Sequence, residues 1–249
     1  MTAERRLVCG IQPVREAIRA HGPRVHKVVV ECARGDALPT PTLLALERFA
    51  RDHGIDVERM ERSGLDRATR GARHQGAIAF VPPFALIAPC DVDVGLVVAL
   101  DEIEDPQNFG AIIRSSVALG ATAIVWPEHH AAPLSVATVR ASAGAIEAAA
   151  LCRVTNLRSA LADFKARGAS ILGLDANGTD AIASHDLRGD VVLVVGAEGK
   201  GLRRPVKAVC DALVRLPMSG SIASLNASVA CGIALYEVAR QRAAAAGGS

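Results

Sequence analysis

The first third of the chain alternates between hydrophobic patterns of helical and strand period. Helical spacing of apolar residues, or a β-branched run with turn residues at its ends, distinguishes the two kinds of element. Helices are predicted over residues 10–20 and 41–54, and strands over residues 25–31, 55–60 and 76–81. This pattern predicts a small α/β segment.

From Val94 onward the alternation is stronger, and the strands are almost continuous runs of Val, Leu and Ile. Strands are predicted over residues 95–103, 122–127, 170–175, 190–196 and 212–217. Helices are predicted between them over residues 108–120, 135–150, 156–168 and 201–210, and a last helix follows the final strand. Apolar strands alternating with helices are typical of a parallel sheet that is covered on both faces.

A proline-rich stretch separates the two patterns. Pro82, Pro83 and Pro89 remove backbone donors and disfavour both helix and central strand. The sequence therefore predicts a domain over residues 1–82, a linker over residues 83–93 and a second domain over residues 94–249.

Composition limits the classes of protein to consider. The chain has 249 residues, half of them hydrophobic and 3% aromatic, and no apolar run reaches the length of a membrane span. No apolar signal segment follows the N-terminus, so we expect a cytoplasmic protein. The six cysteines form no C-x-x-C pair, which argues against a zinc site or a disulfide framework, and no metal is expected.

Charge is divided unevenly along the chain. The net charge is +2, but residues 1–85 hold 14 Lys and Arg against 10 Asp and Glu, whereas the remainder holds 14 against 16. A cationic N-terminal part is compatible with an anionic partner, although a solvated charged face would give the same count.

Candidate chemistry lies at three predicted strand ends, where open α/β sheets bind ligands. The first strand end is followed by Asn108 and Arg114, which could also be a helix cap and an exposed helix residue. The second runs into residues 196–201, Gly-Ala-Glu-Gly-Lys-Gly, which lack the Ser or Thr of a phosphate-binding P-loop because Leu202 stands there.

The third strand end leads into a segment rich in Ser and Asn. Ser219, Ser221, Ser224 and Asn226 precede or begin the last helix. These residue types cap helices well, but one cap needs only one of them. The excess indicates a loop that faces a ligand.

Taken together, the three stretches resemble a known family. N-x-G-x-x-x-R after "LDEIEDPQ", G-x-E-G-x-G after a hydrophobic strand, and "LPMSG…SLNASVA" are similar to the three motifs of the SpoU (TrmH-like) branch of SPOUT RNA 2′-O-methyltransferases. "HQGAIAFV", "ASAGAIEAA" and "CRVTNLRSAL" extend the resemblance to the bacterial 23S rRNA guanosine-2′-O-methyltransferases. One departure is Ala227, where the family usually has Val.

The resemblance implies a fold and a cofactor. The fold is a SPOUT α/β-knot catalytic domain with a C-terminal trefoil knot, preceded by a small L30e-like α/β RNA-binding domain. The cofactor is S-adenosyl-L-methionine (AdoMet). The residues implied to hold it are Gly196, Leu216, Met218, Gly220 and Leu225.

The resemblance also implies catalytic and RNA-binding residues. Arg114 would act at the ribose 2′-hydroxyl, either as a general base or, because a neutral guanidinium is costly, as a charged stabiliser of the developing alkoxide. The residues implied to orient the reactants are Asn108, Glu198, Ser224 and Asn226. His74 and Gln75 would contact RNA, with stabilisation of a turn as the alternative.

The function expected from this resemblance is AdoMet-dependent methylation of a guanosine ribose in 23S rRNA by a homodimer. A tRNA guanosine 2′-O-methyltransferase and a non-catalytic RNA-binding or ribosome-assembly factor of the same fold remain alternatives. A nucleotide-dependent oxidoreductase is disfavoured because no early strand-GxGxxG-helix unit is present.

Overall fold

A computed structural model describes residues 5–32, 39–220 and 224–246. The chain divides into two compact units, which comprise residues 1–85 with 134–148, and residues 86–133 with 149–249. Ile87 N–H donates to Leu151 O over 2.9 Å, and Pro89–Asp91 forms a 3-10 helix. Most of the proline-rich stretch therefore belongs to the second unit. In the described part of the chain no helix is long and apolar enough to cross a membrane.

The first unit is built on a four-stranded sheet of order β1-β4-β2-β3, in which β2 and β3 are parallel and the other neighbours antiparallel. The residues of β1 were not predicted to form a strand; they pair with the chain-distant β4. The elements are β1 (Arg6–Cys9), α1 (Ile11–His21), β2 (Lys27–Cys32), α2 (Pro41–Asp52), β3 (Val57–Glu61), α3 (Arg62–Ala68), β4 (Ala77–Val81) and, from the middle of the chain, α5 (Val136–Ala141).

The prediction of one helix over residues 135–150 was wrong. The α5 helix ends at Ala141, Ala143 and Gly144 have φ angles of 52° and 89°, and a 3-10 helix follows over Ala145–Ala148. A Cβ atom on Gly144 would lie 2.7 Å from Pro13 Cα. Contact with α1 therefore fixes a turn that apolar periodicity does not reveal.

A buried ionic cluster holds this segment in the first unit. The Glu147 carboxylate has no solvent exposure and accepts hydrogen bonds from Arg6 Nη1 (2.8 Å) and His21 Nε2 (2.9 Å). The Arg6 guanidinium also lies over the Phe84 ring, 3.6 Å from its centroid. Burial raises the pKa of Glu147, but the hydrogen bonds and charges of His21 and Arg6 outweigh burial, so the pKa lies below its ordinary value.

The second unit contains a seven-stranded, wholly parallel sheet of order β7-β6-β5-β10-β8-β11-β9. The elements are β5 (Leu96–Asp101), α4 (Pro106–Ala118), β6 (Ala123–Pro127), β7 (Leu151–Val154), α6 (Leu157–Ala166), β8 (Ser170–Leu174), β9 (Asp180–Ala181), β10 (Val191–Gly196), α7 (Arg204–Lys207), β11 (Ala212–Arg215) and α8 (Ala227–Ala246). The predicted parallel sheet is confirmed. The short strands β7 and β9 had not been predicted.

The central strands β5 and β10 of this sheet end next to each other. Every residue of β5 is buried, as are the first five of β10. The register pairs Gly196 with Asp101, so the carboxyl ends of β5 and β10 lie side by side. The loops that follow these strands therefore begin at one edge of the sheet.

We predict that Glu147→Gln lowers the free energy of unfolding by about 3 kcal/mol at pH 7, because it leaves Arg6 and His21 beside a neutral amide in a buried site. Since the pKa of Glu147 in the folded protein lies below 4.5, this contribution is present above pH 4.5 and is lost as the pH falls through the folded-state value. Chemical denaturation from pH 7 to pH 3 measures it.

The matched control is Glu58→Gln, which breaks the exposed pair with Lys27 in the same unit. Its expected cost is below about 1 kcal/mol. Equal losses for the two variants would contradict the role assigned to Glu147.

Candidate active site

A cleft opens where the chain leaves β8, β10 and β11. It brings together residues that follow three different strands, as expected for ligand sites of open parallel sheets. Among the residues that the structure describes, its lining includes Leu174, Asp175, Asn177, Gly196, Glu198, Lys200, Lys207, Leu216, Met218, Ser224 and Leu225. Glu198 and Lys200 also border a neighbouring cleft, which Asn108 lines.

The glycine-rich loop after β10 folds back tightly on the strand end. Gly201 N–H donates to Ala197 O over 2.8 Å. A Cβ atom on Gly196 would lie 2.5 Å from Gly201 O and 2.6 Å from Leu202 N, so no larger residue fits without moving the loop. Gly199 and Gly201 have φ angles of 78° and 66°, a region that favours glycine. The loop therefore presents backbone, with few side chains, to the cleft.

Asp101 anchors the far end of this loop. It is fully buried at the end of β5, where its carboxylate accepts from Arg203 N–H (2.8 Å) and Arg203 Nε (2.7 Å). Removing Arg203 would leave the buried Asp101 carboxylate unpaired, which is costly. The pair fixes where the loop ends and α7 begins.

One side chain from each of the three motif stretches meets the other two. Asn226 Nδ2 donates to Asn108 Oδ1 over 2.9 Å, and Asn226 Nδ2 and Asn108 Nδ2 each lie 3.4 Å from Glu198 Oε2. These residues are far apart along the chain. The predicted grouping of Asn108, Glu198 and Asn226 is therefore present as a hydrogen-bonded cluster at the rim of the cleft.

Asn226 has a second role as the cap of α8. Its Oδ1 accepts from the backbone N–H groups of Ser228 (2.9 Å) and Val229 (3.3 Å), the pattern of an N-cap side chain. Ser219 and Ser224, the described serines before it, lie outside the helix. Ser224 lines the cleft, Ser219 is exposed in the preceding segment, and Ser221 lies outside the described residues.

Asn108 is not a helix cap. The α4 helix begins at Pro106, and Asp105 caps it by accepting from Asn108 N–H over 2.9 Å. Proline at the first helical position suits this arrangement because its missing donor is not needed there. The Asn108 side chain is thereby free to join the cluster.

The residues predicted to hold a cofactor divide into two groups. Gly196, Leu216, Met218 and Leu225 line the cleft. Gly220 is exposed and borders the undescribed residues 221–223, and it is not among the described residues that line the cleft.

Sequence reasoning missed an ion pair inside the cleft. Lys207 Nζ lies 2.5 Å from Asp175 Oδ2, and Asp175 Oδ1 accepts from Asn177 N–H over 2.9 Å. Burial raises the pKa of Asp175, but these hydrogen bonds and the charge of Lys207 outweigh burial and hold the pKa below its ordinary value. A sequence signal for this pair existed, because Asp175 is the last residue of the strand predicted over residues 170–175.

Arg114 is not brought into the cluster. It lies on α4, six residues after Asn108, which corresponds to roughly 240° around a helix of 3.6 residues per turn. Its side chain is exposed and makes no hydrogen bond or ion pair with any residue that the structure describes.

His74 lies in the first unit, and its surroundings favour the turn-stabilising alternative over RNA contact. It is 3% exposed, its Nδ1 accepts from Gly76 N–H over 3.0 Å, and its Nε2 donates to Asp66 Oδ1 over 3.0 Å. Gln75 is exposed, and its Oε1 accepts from Ile11 N–H over 3.3 Å. Contact with RNA stays a prediction for Gln75.

We predict that Asn226→Ala lowers the free energy of unfolding by about 1 kcal/mol, because α8 loses its cap. Asn226→Ser keeps a capping oxygen while removing the amide that donates to Asn108, so we expect its stability to lie within about 0.5 kcal/mol of wild type. Urea denaturation compares the two. Equal losses of stability in the two variants would show that the missing cap does not account for the effect of Asn226→Ala.

Two family models match the chain along most of its length. The model described as the SpoU rRNA Methylase family matches residues 95–236, and the model described as RNA 2′-O ribose methyltransferase substrate binding matches residues 7–86. The first match covers more than half of the chain.

Curated relatives and solved structures agree with these matches. A protein of Mycobacterium sp. (strain KMS) named an uncharacterized tRNA/rRNA methyltransferase is 41% identical and covers 97% of this chain and 78% of its own. The SpoU methyltransferase AviRb of Streptomyces viridochromogenes, solved in complex with AdoMet, is 27% identical, has a TM-score of 0.77 and covers 96% of this chain and 91% of its own. The TrmH/SpoU tRNA modifying enzyme of A. aeolicus is 30% identical, has a TM-score of 0.56 and covers 62% of this chain and 78% of its own. With these matches added to the geometry of the three motif loops, the chain belongs to the SpoU family of RNA methyltransferases.

Proposed function

We propose that this protein transfers a methyl group from AdoMet to the ribose 2′-hydroxyl of a guanosine in 23S rRNA. The observation that carries the proposal is the cluster of Asn108, Glu198 and Asn226. It joins the three motif stretches at the rim of the cleft. A methyl donor in the cleft would then lie beside polar groups able to orient a ribose.

The cleft suits a cofactor bound largely through backbone. Gly196 and its loop leave no room for a larger side chain, and glycine permits close approach of a ligand to the main chain. Leu216, Met218 and Leu225 add apolar surface, and the last two are more than a third exposed in this structure. AdoMet, when bound, supplies an activated methyl group to an oxygen nucleophile. The trefoil knot implied by the resemblance remains part of the proposal.

Positioning is the main task of the clustered side chains. Holding two reactants in line can lower a barrier by several kcal/mol. Asn108 and Asn226 offer amide groups and Glu198 an acceptor, while Ser224 offers a hydroxyl at the cleft. We assign these four residues to orienting the ribose and the reacting centre.

We assign charge stabilisation to Arg114. A guanidinium is protonated at any physiological pH, so it is better suited to stabilising the developing alkoxide or binding the adjacent phosphate than to accepting a proton. Arg114 has no partner among the described residues and lies away from the cluster of its own chain. Arg114 can therefore act on the ribose only if the bound RNA, or a second copy of the chain, places the ribose next to it.

A homodimer would cover an apolar face beside Arg114. The α8 helix buries one apolar row, which includes Cys231, Leu235 and Val238, inside its own unit. A second row, Val229, Ile233 and Tyr236, is 49%, 42% and 62% exposed. The second row borders a groove that Ala111 and Ser115 of α4 also line. An exposed apolar row on a helix that already packs through its other side favours association with a second copy.

We propose ribosomal RNA as the substrate class. An rRNA methyltransferase of Sinorhizobium meliloti covers 94% of this chain with a TM-score of 0.74 and 26% identity. The tRNA modifying enzyme covers only 62%. The first unit carries the cationic excess of the chain, which suits RNA phosphate. We place the reaction in the cytoplasm, with the ribosomal RNA.

Mapping 2′-O-methyl groups in rRNA and tRNA from cells with and without this protein tests the proposal. Loss of one guanosine modification in 23S rRNA is expected. Loss of a tRNA modification instead would identify tRNA as the substrate. No loss in either RNA would favour a non-catalytic binding factor.

We predict that Gly196→Ala weakens AdoMet binding at least tenfold, about 1.4 kcal/mol. The added Cβ collides with Gly201 and displaces the loop. Isothermal titration calorimetry measures the affinity, and a thermal melt checks folding. The control is Gly189→Ala in the same unit, where a Cβ has no atom within 4 Å. Unchanged affinity in Gly196→Ala would refute backbone binding at this loop.

We predict that Arg114→Ala reduces methyl transfer by about 10²–10³-fold. Arg114→Lys should also be impaired, because a point charge does not reproduce a two-pronged guanidinium. AdoMet affinity should change less than about threefold, under 1 kcal/mol. Arg158→Ala, which removes another exposed arginine of the second unit, should leave turnover near wild type. Near-normal turnover by Arg114→Lys would refute the role assigned to Arg114.

A further inference from the structure

A loop in the first unit presents cationic side chains from an ordered backbone. It includes the last two residues of α3 and spans residues 67–76. Four of its residues have positive φ angles, namely Arg70 (51°), Gly71 (77°), Gln75 (52°) and Gly76 (80°). Non-glycine residues seldom adopt this conformation, so the surrounding contacts must hold the loop in place.

Hydrogen bonds at both ends of the loop supply those contacts. Thr69 Oγ1 donates to Leu65 O over 2.9 Å, and Gly71 N–H donates to Asp66 O over 2.9 Å. The buried His74 ring connects Asp66 with Gly76, and Glu31 N–H donates to Gly76 O over 2.7 Å. The chain is thus pinned to α3 at one end and to β2 at the other.

Three arginines project from this pinned backbone without partners. Arg67, Arg70 and Arg73 are exposed, and in the described part of the chain no hydrogen bond or ion pair involves their side chains. Residues 67–76 contain no Asp or Glu, and the nearest preceding carboxylate, that of Asp66, is bound to His74.

Some other exposed arginines of the same unit are paired with acids. Arg19 pairs with Glu16, while Arg51 and Arg59 both pair with Glu47. Arg5, Arg48 and Arg140 are also exposed and pair with no acid among the described residues, but they lie far apart in the sequence. The loop differs because it carries three unpaired arginines within seven positions. Unpaired guanidinium groups offer forked donors that match phosphate oxygens.

We propose that residues 67–73, the arginine loop, bind the phosphate backbone of the RNA substrate. The proposal rests on the proposed function and names the surface through which the first unit holds RNA. The loop contains no aromatic side chain for base stacking, so it contributes affinity and orientation and leaves sequence readout to other contacts. A pinned loop loses little conformational entropy when it binds, which favours recognition of RNA shape.

The test compares two triple variants with equal loss of charge. The first carries Arg67→Gln, Arg70→Gln and Arg73→Gln. The control carries Arg5→Gln, Arg48→Gln and Arg140→Gln, which remove three exposed arginines of the same unit that pair with no acid among the described residues. Glutamine is unbranched, so it adds no new steric conflict at the positive φ of Arg70. Binding to in vitro transcribed 23S rRNA is measured by filter binding at several salt concentrations, and thermal melts check folding.

We expect the arginine-loop variant to bind at least about tenfold more weakly near 0.1 M salt, with the slope of log K against log salt reduced by about 2 to 3. The control should change the slope by less than about 1. In the methyl-transfer assay the KM for RNA should rise while kcat at saturating RNA and the Kd for AdoMet stay near wild type.

Equal effects in the two variants would show that net charge alone matters and would overturn the proposal, as would an unchanged RNA affinity in the arginine-loop variant. These failures can be told apart from a failure of the proposed function. If wild-type protein methylates rRNA but the arginine-loop variant keeps its KM and salt slope, the loop assignment alone is refuted. If wild-type protein binds rRNA through the loop but transfers no methyl group, the loop assignment stands.

Discussion

The side-chain amide of Asn226 holds the candidate site together. Its oxygen caps α8 and its nitrogen donates to Asn108, with Glu198 Oε2 3.4 Å away. An amide can do both because it carries an acceptor at one end and donors at the other. The start of the last helix is thereby coupled to the helix after β5 and to the loop after β10. Aspartate would keep the cap but would lose the donor that connects the other two elements.

The parallel sheet makes that coupling possible. In register, Gly196 lies beside Asp101, so the loops leaving β5 and β10 start as neighbours although about 95 residues separate them. The Asp101–Arg203 pair closes the glycine-rich loop from the other end. The site is therefore built from loops whose two ends are fixed by buried strands or ion pairs, which is how a scaffold preorganises polar groups.

The first unit is stabilised by a segment from the middle of the sequence. Residues 134–148 join it through the Gly144 turn against Pro13 and through the burial of Glu147 with Arg6 and His21. Ionic contacts also shape the surface of this unit. Exposed arginines on α1, α2 and β3 pair with acids, whereas the three arginines of the arginine loop are unpaired on a pinned backbone.

The sequence by itself determined the parallel sheet, most helices and strands, the family and the three motif stretches, because apolar period and glycine or proline placement are local properties of the chain. Tertiary structure decided which side chains meet. The Asn226–Asn108 bond spans 118 residues, and the Lys207–Asp175 pair depends on the placement of α7 after β10, so neither leaves a local signal. The same holds for His74, whose burial against Asp66 favours turn stabilisation over the predicted RNA contact, and for the helix predicted over residues 135–150, which the contact of Gly144 with Pro13 interrupts. The local sequence pattern shows which secondary structure each segment prefers. Distant contacts are fixed only when strand order and helix packing bring particular atoms within hydrogen-bonding or van der Waals distance.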